Sequence, residues 1–415
     1  MAFEYPFAPD QRRIADLADR LAQELKGFAA EHDRRGEFAL ENLEALHRSG
    51  YLRLALPREY GGGGADVFDM VVAQHRLARG DAASALVVGM MLNVIGRQRD
   101  EPTWPSAIFA HIVRDIAENG GAINTCATEA DLGSISRGGA PAATATPTKG
   151  GFSINGKKVF VTGAPGLRYL HTLVRLPPSA DAPHGEVASA IVSAQSEGLT
   201  IRDAWAGALS LRSCGNSDVV YDNVFVADEF VVERRPLPAP GAVKPPKGKG
   251  APGIGPWSLT VSAVYLGVGE AALNAAIAYA NTRQPTALGR PIADLTHIQE
   301  RIGAMAVTLE AARAQIYETA RLWREYPAIR ESLLARIASA KYLSVDAACR
   351  ASEIGLKVAG GFSLTADVGL ERPFRDARGG LFQPPQDDLA LGFVGRDALR
   401  SAQPVLTSSQ SGEAA

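Results

Sequence analysis

The sequence has little cysteine, little net charge and no long apolar run. Its cysteines, Cys126, Cys214 and Cys349, are too few and too scattered for a disulfide framework or a thiolate metal cage. Lys and Arg number 43 against 45 Asp and Glu, so no overall positive field attracts nucleic acid or an anionic membrane. No stretch reaches the roughly 18 apolar residues of a membrane span, and the first residues do not resemble a signal peptide. We therefore expect a soluble, cytoplasmic protein with neither a nucleic-acid nor a membrane partner.

The sequence also lacks the motifs of several common enzyme classes. Its seven histidines show no metal-ligand spacing, and there is no G-x-S-x-G elbow for an acyl-transfer nucleophile. The glycine run 61–64 lacks the Lys-Ser/Thr ending of a phosphate loop. Residues 267–272 fit the loose dinucleotide fingerprint G-x-G-x-x-A, but the apolar residues on both sides read as one helix, which favours glycines that pack helices together. We expect no metal, and neither a hydrolase nor a metalloenzyme.

The patterning that is present divides the chain into helical and sheet-forming parts. Apolar residues recur at helical spacing near both ends, and short β-branched runs between turn residues fill the middle. The dipeptide Asn155-Gly156 predicts a hairpin turn within this middle part. We predict an α+β protein with an N-terminal helical domain (1–120), a central β domain (121–234), a Pro-, Gly- and Lys-rich loop (235–255), a C-terminal helical domain (256–402) and a tail (403–415).

Six short segments in a fixed order carry a family resemblance. They are residues 56–62, 127–134, 154–162, 211–213, 358–362 and 375–378. In this order, and with helices on both sides of a sheet region, the chain resembles the acyl-CoA dehydrogenase superfamily over nearly its whole length. The resemblance implies an N-terminal helical domain, a central β-barrel-like domain and a C-terminal four-helix bundle. It also implies a homotetramer built from dimers, or a homodimer, with FAD between the last two domains.

The resemblance further implies which residues hold the flavin. They are Thr128, Ser134, Phe160, Thr162, Arg283, Gln299, Gly360 and Gly361. Phe160 takes the position of the family's usual Trp over the ring, Thr162 lies near the ring atom N5, and Arg283 reaches the pyrophosphate of the partner subunit's FAD. The loop 128–135 departs from the family's Thr-Glu-Pro-Gly-Ala-Gly-Ser-Asp, and the loop after Arg283 lacks the usual aromatic-Gly pair. FMN is therefore an alternative cofactor.

The carboxylate that takes the substrate's α-proton in the family's dehydrogenases is missing. Its usual position, eight residues after the Asp of the Arg-Asp-Ala segment, holds Pro384, and its alternative position holds Trp257 if Gly267 is the reference glycine. Asp387 and Asp388 are the nearest carboxylates, but acidic residues directly before an apolar run are more often helix caps. The catalytic residue is unknown, with Asp387, Asp388 and Trp257 as candidates.

Three functions are compatible with this absence. The superfamily contains monooxygenases, similar to dibenzothiophene monooxygenase and to nitrogen-hydroxylating enzymes, that take reduced flavin from a flavin reductase and use O₂, and these need no such carboxylate. We favour a monooxygenase of a small organic substrate, with a pocket around Met90, Met91 and Trp257. Against it, several of those enzymes place a histidine near the flavin where this chain has Asn93. The alternatives are an acyl-CoA dehydrogenase with a relocated base and a flavin-binding protein without catalysis.

The Pro-, Gly- and Lys-rich loop allows two interpretations. It is either a lid over the substrate or a solvated linker, and its lysines together with Arg235 could meet the phosphates of coenzyme A. The linker is the favoured interpretation.

Overall fold

The computed structural model describes residues 5–131, 139–239 and 255–401, and in these ranges the predicted order of helices, sheet and helices is confirmed. The N-terminal helices are α1 (Pro9–Arg35), α2 (Leu40–Arg48), α3 (Val67–Leu77), α4 (Ala82–Asp100) and α5 (Ser106–Asn119). The C-terminal helices are α6 (Ser258–Thr282), α7 (Thr296–Glu325), α8 (Leu334–Ala359), α9 (Glu371–Gly379) and α10 (Asp387–Ser401). Ser134, most of the Pro-, Gly- and Lys-rich loop and the tail lie outside the described residues, and the exact domain limits stay predictions.

Local sequence explains where several of these helices begin and end. Asp66 and Asp81 precede α3 and α4, and their carboxylates accept hydrogen bonds from the backbone N of Asp69 and of Ser84, each at 3.0 Å. Helix α1 ends at Gly36, whose φ of +69° is the left-handed conformation that glycine adopts without strain. The cap at Asp81 matters most here, because α4 forms one wall of the candidate site.

The middle of the chain folds into one mixed sheet. Its strands are β1 (Ala122–Cys126), β2 (Thr144–Thr148), β3 (Gly151–Val161), β4 (Leu167–Leu176), β5 (Glu186–Ser193), β6 (Leu199–Arg202), β7 (Ser217–Ala227) and β8 (Val231–Pro236). The hydrogen-bonded order is β6-β7-β3-β2-β4-β5-β8, and β1 pairs with β4 beside this path. The β1–β4 pairing is parallel and places Thr125 opposite His171. Two polar side chains far apart in sequence thereby become neighbours on one face of the sheet.

The predicted hairpin turn at Asn155-Gly156 is wrong. Both residues lie inside β3, where the register to β7 shifts between Ile154 and Gly156. Asn155 Oδ1 accepts a hydrogen bond from the backbone N of Asn223 at 2.9 Å, and Gly156 has a φ of +148°. The Asn-Gly pair therefore forms a β-bulge, and the hairpin between β2 and β3 turns at residues 149–150 instead.

Helix α6 carries the glycines that mimic a dinucleotide fingerprint. It is one continuous helix, so the helix-packing interpretation is confirmed. A Cβ added to Gly267 would lie 2.4 Å from the carbonyl O of His75, and one added to Gly269 would lie 2.6 Å from a methyl carbon of Leu309. Among the described residues, only α6 has the length and hydropathy of a membrane-crossing helix, but most of it is buried. Its contacts with α3, α4 and α8 account for that apolar composition.

Candidate active site

A buried ion pair holds the segment that follows β1 and carries Thr128. Glu129 Oε1 accepts hydrogen bonds from Lys158 Nζ at 2.6 Å and from the backbone N of Ala143 at 3.0 Å, and Glu129 Oε2 accepts from the backbone N of Ala142 at 2.7 Å. Burial alone would raise the pKa of Glu129, but the hydrogen bond from Lys158 and the backbone bonds outweigh it and lower that pKa. Thr128, which is half-buried, is therefore placed against β3 by a fully paired carboxylate.

Phe160 and Thr162, at the end of β3, present one exposed ring and one buried hydroxyl. Phe160 is 61% exposed, has a φ of +57°, and its ring meets that of Trp205 edge to face with 6.0 Å between centroids. An aromatic residue in the left-handed region is strained, and such strain is typical of functional sites. Thr162 Oγ1 donates to Asn216 Oδ1 at 3.3 Å, and its carbonyl O accepts from Asn124 Nδ2 at 3.0 Å. These contacts fix the edge of the sheet beside the Phe160 ring.

Helix α4 runs past this edge. A Cβ on Gly163, directly after Thr162, would lie 2.7 Å from a methyl carbon of Val87 on α4. Further along α4, Met90 and Asn93 are only half-buried, and Asn93 Nδ2 donates to the carbonyl O of Gly89 at 3.0 Å. Met91, which the sequence analysis placed with Met90 around the pocket, is fully buried in the core. Met90 and Asn93 thus each leave part of the side chain open to a ligand.

Trp257 is packed into the core at the start of α6. It is 2% exposed, and its indole Nε1 donates to Asp100 Oδ2 at 2.8 Å. The guanidinium of Arg99 lies 4.8 Å from the ring centroid, and a Cβ on Gly96 would lie 2.1 Å from the indole. An indole N–H is only a donor, and here it is already used, so this side chain has no free group for proton transfer.

Asp387 is tied to a buried lysine. Lys341 is 3% exposed, and its Nζ lies 3.2 Å from Asp387 Oδ1. Burial lowers the pKa of Lys341, and the charge of Asp387 acts in the opposite direction. Asp387 and the exposed Asp388 are the first residues of α10, so they lie in its first turn rather than at the cap position expected from the sequence. Pro384, which the sequence analysis assigned to the position of the family's carboxylate, is exposed in the preceding loop.

The structure brings Arg283 next to the Gly360-Gly361 segment. Arg283 is exposed at the end of α6, and its guanidinium lies 4.9 Å from the ring centroid of Phe362. A Cβ added to Gly360 or to Gly361 would have no neighbouring atom within 4 Å. Gln299 is exposed near the start of α7 and donates to the carbonyl O of Ala293 at 3.0 Å. A cationic, open surface of this kind suits a phosphate group.

Sequence reasoning missed a chain of polar groups on the face of the sheet beside α4. Thr125 Oγ1 lies 3.0 Å from His171 Nδ1, and His171 Nε2 lies 3.1 Å from Glu233 Oε2. His171 is buried, Glu233 is largely buried and Thr125 is exposed. We call these three residues the crevice chain. We call the surface that includes the exposed Thr125 of β1 and the half-buried Met90 and Asn93 of α4, the helix that packs on β1, the crevice.

Both carboxylate oxygens of Glu233 accept hydrogen bonds from several side chains. Its Oε1 accepts from Thr103 Oγ1 at 2.5 Å, from Gln98 Nε2 at 3.1 Å and from Arg97, while Oε2 also accepts from Ser189 Oγ at 2.9 Å. Burial would raise the pKa of Glu233, but His171, Thr103 and Arg97 outweigh it and hold that pKa well below its usual range. Glu233 also has a φ of +57°. Glu233 thus has a strained backbone conformation, and its ionised carboxylate lies beside His171.

The groups present suit a flavin better than a metal. Phe160 offers an exposed aromatic surface for a planar ring, and Arg283 offers an exposed guanidinium for a phosphate. Within the described ranges, no three His, Cys, Asp or Glu side chains come together as a metal site.

Comparison with known proteins gives consistent matches over the whole chain. The acyl-CoA dehydrogenase N-terminal, middle and C-terminal domains match residues 8–98, 124–224 and 259–380. The chain is 33% identical over 391 residues to "Putative acyl-CoA dehydrogenase YdbM" of Bacillus subtilis (strain 168), covering 94% of this chain and 98% of that protein. It is 28% identical over 425 residues to the dibenzothiophene monooxygenase of Rhodococcus qingshengii, covering 96% of this chain and 95% of the monooxygenase.

Solved structures agree on the fold. Butyryl-CoA dehydrogenase from Megasphaera elsdenii superposes with a TM-score of 0.79 at 20% identity, covering 96% of this chain and all of that one. FMN-bound TdsC from Paenibacillus sp. A11-2 has a TM-score of 0.79 at 21% identity, covering 94% of this chain and 98% of TdsC. The helical, sheet and helical domains are thus those of acyl-CoA dehydrogenase folds. Together with the sequence matches, they establish that the chain belongs to the acyl-CoA dehydrogenase family, whose members include both dehydrogenases and monooxygenases.

Proposed function

We propose that this chain is a flavin-dependent monooxygenase that oxidises a small organic substrate with reduced flavin and O₂. The observation that supports this proposal is that Pro384, Trp257 and Asp387, at or near the positions where a dehydrogenase has its base, do not offer a free proton acceptor. Pro384 and Trp257 cannot take a proton, and Asp387 is held by Lys341. A dehydrogenase depends on a free carboxylate there, since a correctly placed base contributes about 10²- to 10⁴-fold in rate. A monooxygenase has no such requirement.

We propose FAD as the cofactor, with FMN as the alternative. Phe160, Thr162 and Thr128 would hold the ring, while Arg283, Gln299 and the Gly360-Gly361 segment would hold the outer part of a partner subunit's FAD. Reduced flavin, when bound, supplies the electrons that activate O₂. The residues of this chain orient the ring and the substrate and exclude water from them.

Substitution of Arg283 distinguishes FAD from FMN as the cofactor. We expect Arg283→Ala to weaken FAD binding at least tenfold and to leave FMN binding unchanged, because FMN lacks the pyrophosphate and adenosine. Isothermal titration of the apoprotein with each flavin measures both constants. Arg290→Ala, which removes another exposed arginine from the same loop, is the matched control and should change neither. Equal loss of both flavins in Arg283→Ala would argue against the FAD assignment.

We further propose that the protein works in the cytoplasm with a separate flavin reductase as its partner, and that it forms a homotetramer or homodimer. An assembly is required if Arg283 serves the flavin of a neighbouring subunit. Light scattering on the purified chain gives the assembly mass, and a monomer would remove that role of Arg283.

Turnover tests the monooxygenase proposal directly. A flavin reductase with NADH would supply reduced flavin under ¹⁸O₂, in the presence of a panel of small aromatic and amine substrates. We expect a product that carries one ¹⁸O atom, detected by mass spectrometry, with the second oxygen atom released as water. If flavin oxidation is never coupled to a product across the panel, the proposal fails.

An acyl-CoA dehydrogenase with a relocated base is the second candidate. The higher sequence identity to the Bacillus relative favours it. In that case an acyl-CoA should bleach the oxidised flavin without O₂, and Asp387→Asn or Asp388→Asn should abolish the bleaching. Under the monooxygenase proposal, no acyl-CoA bleaches the flavin in any of the three proteins. A chain that binds neither FAD nor FMN would instead indicate a protein that has kept the fold without the chemistry.

A further inference from the structure

The hydrogen bonds of the crevice chain run in one direction when His171 is neutral. Glu233 is ionised and therefore only accepts hydrogen bonds, so His171 Nε2 must carry the proton that it shares with Glu233 Oε2. In the neutral imidazole, Nδ1 is then the acceptor. Thr125 Oγ1 is 3.0 Å from that Nδ1, so a neutral His171 accepts the hydroxyl hydrogen of Thr125, whereas an imidazolium would donate to Thr125 instead. With His171 neutral, the hydroxyl oxygen of Thr125 is left with lone pairs only.

The Thr125 oxygen that carries these lone pairs lies at the crevice. Thr125 is exposed, although His171 and Glu233, which follow it in the crevice chain, are not. Helix α4 packs on β1, and Arg97 of α4 contacts Glu233. Met90, Asn93 and Arg97 are three and four residues apart, so they share the face of α4 that is turned toward this strand face. A molecule bound at Thr125 would thus lie beside the helix that carries the half-buried Met90 and Asn93.

The crevice chain also lies beside the flavin-binding edge expected for this family. Thr125 is three residues before Thr128 on the same segment, which corresponds to roughly 10 Å along a strand. The neighbouring Asn124 is bonded to the carbonyl of Thr162. At the other end of the same α4 face, Val87 touches Gly163.

We propose that Thr125 is the group that recognises the substrate, and that the substrate presents an O–H or N–H to it. The substrate donates this hydrogen bond to Thr125 Oγ1, because that oxygen can only accept while its own hydrogen is held by His171. If the reaction removes this proton, Thr125 takes it and passes its own hydroxyl proton to His171 Nδ1. The resulting imidazolium is stabilised by Glu233, and no oxidant or further reactant is needed for this transfer. The inference rests on the proposed function only in placing the substrate in the crevice.

Two classes of substrate are thereby distinguished. A phenol, alcohol or primary amine fits the acceptor at Thr125, whereas the corresponding methyl ether or tertiary N,N-dialkylated amine leaves that acceptor without a donor. Sites built around a hydrogen bond reject analogues that lack the bonding group, because a polar group then remains unpaired. We therefore expect this chain to select substrates by whether they carry an O–H or N–H hydrogen that can be donated to Thr125.

The hydrogen-bond direction can be measured without a ligand. The full chain with ¹⁵N-labelled histidine is studied by long-range ¹H–¹⁵N NMR at neutral pH, and His171→Gln identifies the His171 signals. We expect His171 with Nε2 protonated and Nδ1 bare. A proton on Nδ1, either in the other neutral tautomer or in an imidazolium, would overturn the proposal.

Binding of matched probes tests the substrate class. Phenol and anisole, and aniline and N,N-dimethylaniline, are titrated against the full chain by saturation-transfer NMR. We expect phenol and aniline to bind at least tenfold more tightly than their methylated partners, and Thr125→Val to abolish this difference. Thr125→Ser, which keeps the hydroxyl, should preserve it.

Two results contradict the proposal. One is that no protic probe binds, and the other is that the preference for protic probes survives in Thr125→Val. Neither NMR measurement uses turnover, so a failure to incorporate ¹⁸O would sink the monooxygenase proposal and leave this one standing. Conversely, loss of the probe preference would leave the monooxygenase proposal untouched.

Discussion

Two regions of the molecule contain the same three kinds of group in the same order. In the crevice chain, Glu233 faces His171 and His171 faces the hydroxyl of Thr125. In the helical core, His75 Nε2 lies 3.1 Å from Glu270 Oε2 and His75 Nδ1 lies 2.8 Å from the hydroxyl of Tyr317. We call His75, Glu270 and Tyr317 the core cluster. Both regions contain a carboxylate, an imidazole and a hydroxyl at nearly equal distances.

The difference between them is where the hydroxyl lies. Tyr317 is 3% exposed and is packed against the rings of Tyr5 and Phe68, so no ligand reaches it. Thr125 is exposed and faces the crevice. A carboxylate–imidazole–hydroxyl chain is therefore not a sign of chemistry by itself, because a buried one joins helices α3, α6 and α7 and nothing more.

The charges around the two carboxylates also differ. Glu270 lies 2.7 Å from Arg79 Nε and 3.7 Å from Arg313 Nη1, and these charges together with His75 overcome the effect of burial and lower its pKa. Glu233 meets one arginine, Arg97, and otherwise accepts from His171 and from the uncharged side chains of Thr103, Gln98 and Ser189. The core cluster is a network of ion pairs between helices, whereas the crevice chain is a network of hydrogen bonds behind one exposed oxygen.

The largest expected effect comes from breaking the core cluster at its carboxylate. Glu270→Gln leaves Arg79 and Arg313 without their buried partner, and removing one partner of a buried ion pair costs about 3–5 kcal/mol of unfolding free energy. Urea denaturation followed by circular dichroism measures this loss. Glu310→Gln removes a half-exposed carboxylate that pairs with Arg313 and should cost no more than about 1 kcal/mol. Equal losses in the two variants would show that the core cluster contributes no more than a surface pair.

Asp376 is a third buried carboxylate, and its effect on the pH dependence of stability is opposite to that of Glu270 and Glu233. Asp376 accepts a hydrogen bond from the backbone N of Leu211 at 2.7 Å, and burial raises its pKa to about 6. Since the folded state then binds the proton more tightly than the unfolded state, stability falls as pH rises from about 4 to 6, by roughly 3 kcal/mol. Glu270 and Glu233 have lowered pKa values, so they stabilise the fold above about pH 4 and lose that contribution in acid.

Asp376→Asn should remove the fall in stability between pH 4 and 6 and leave the acid limb unchanged. Urea midpoints measured at several pH values from 3 to 7 separate the two limbs. A fall in stability between pH 4 and 6 that persists in Asp376→Asn would assign it to another group.

Much of the fold could be predicted from the sequence because helical periodicity is a local property. The continuity of α6 through Gly267 and Gly269 followed from the apolar residues on both sides. The error at Asn155-Gly156 is also local in origin, since the same dipeptide suits a hairpin turn and a bulge, and only the pairing of β3 with β7 distinguishes them.

The site was only partly predictable for the opposite reason. Phe160 and Arg283 could be named from segments in a fixed order. The crevice chain depends on a parallel register that brings Thr125 beside His171, 46 residues later, and on Glu233, another 62 residues on. The one available signal was a histidine inside the apolar strand β4, because a buried imidazole requires a polar partner. This signal indicates that His171 requires a polar partner, but it does not identify Thr125 or Glu233 as that partner.

Removing each hydroxyl in turn tests whether exposure is what separates the two regions. Tyr317→Phe leaves the buried Nδ1 of His75 unpaired, so we expect a loss of about 1–3 kcal/mol in unfolding free energy. We also expect no change in phenol binding, because Tyr317 is buried against the rings of Tyr5 and Phe68. Unfolding in urea and the probe titrations give both quantities. Weaker phenol binding in Tyr317→Phe would mean that the two regions are coupled.

Thr125→Val is the matched change in the crevice chain and should have the smallest effect on stability. Valine has the shape of threonine, and the site is exposed, so solvent can reach toward His171 Nδ1 in place of the lost hydroxyl. We expect a change within about 0.5 kcal/mol in urea denaturation, as for other exposed substitutions. A loss as large as that of Tyr317→Phe would identify Thr125 as a structural group like Tyr317. Unchanged stability together with lost phenol binding would instead mark the exposed hydroxyl as one that the fold does not need and that a ligand does.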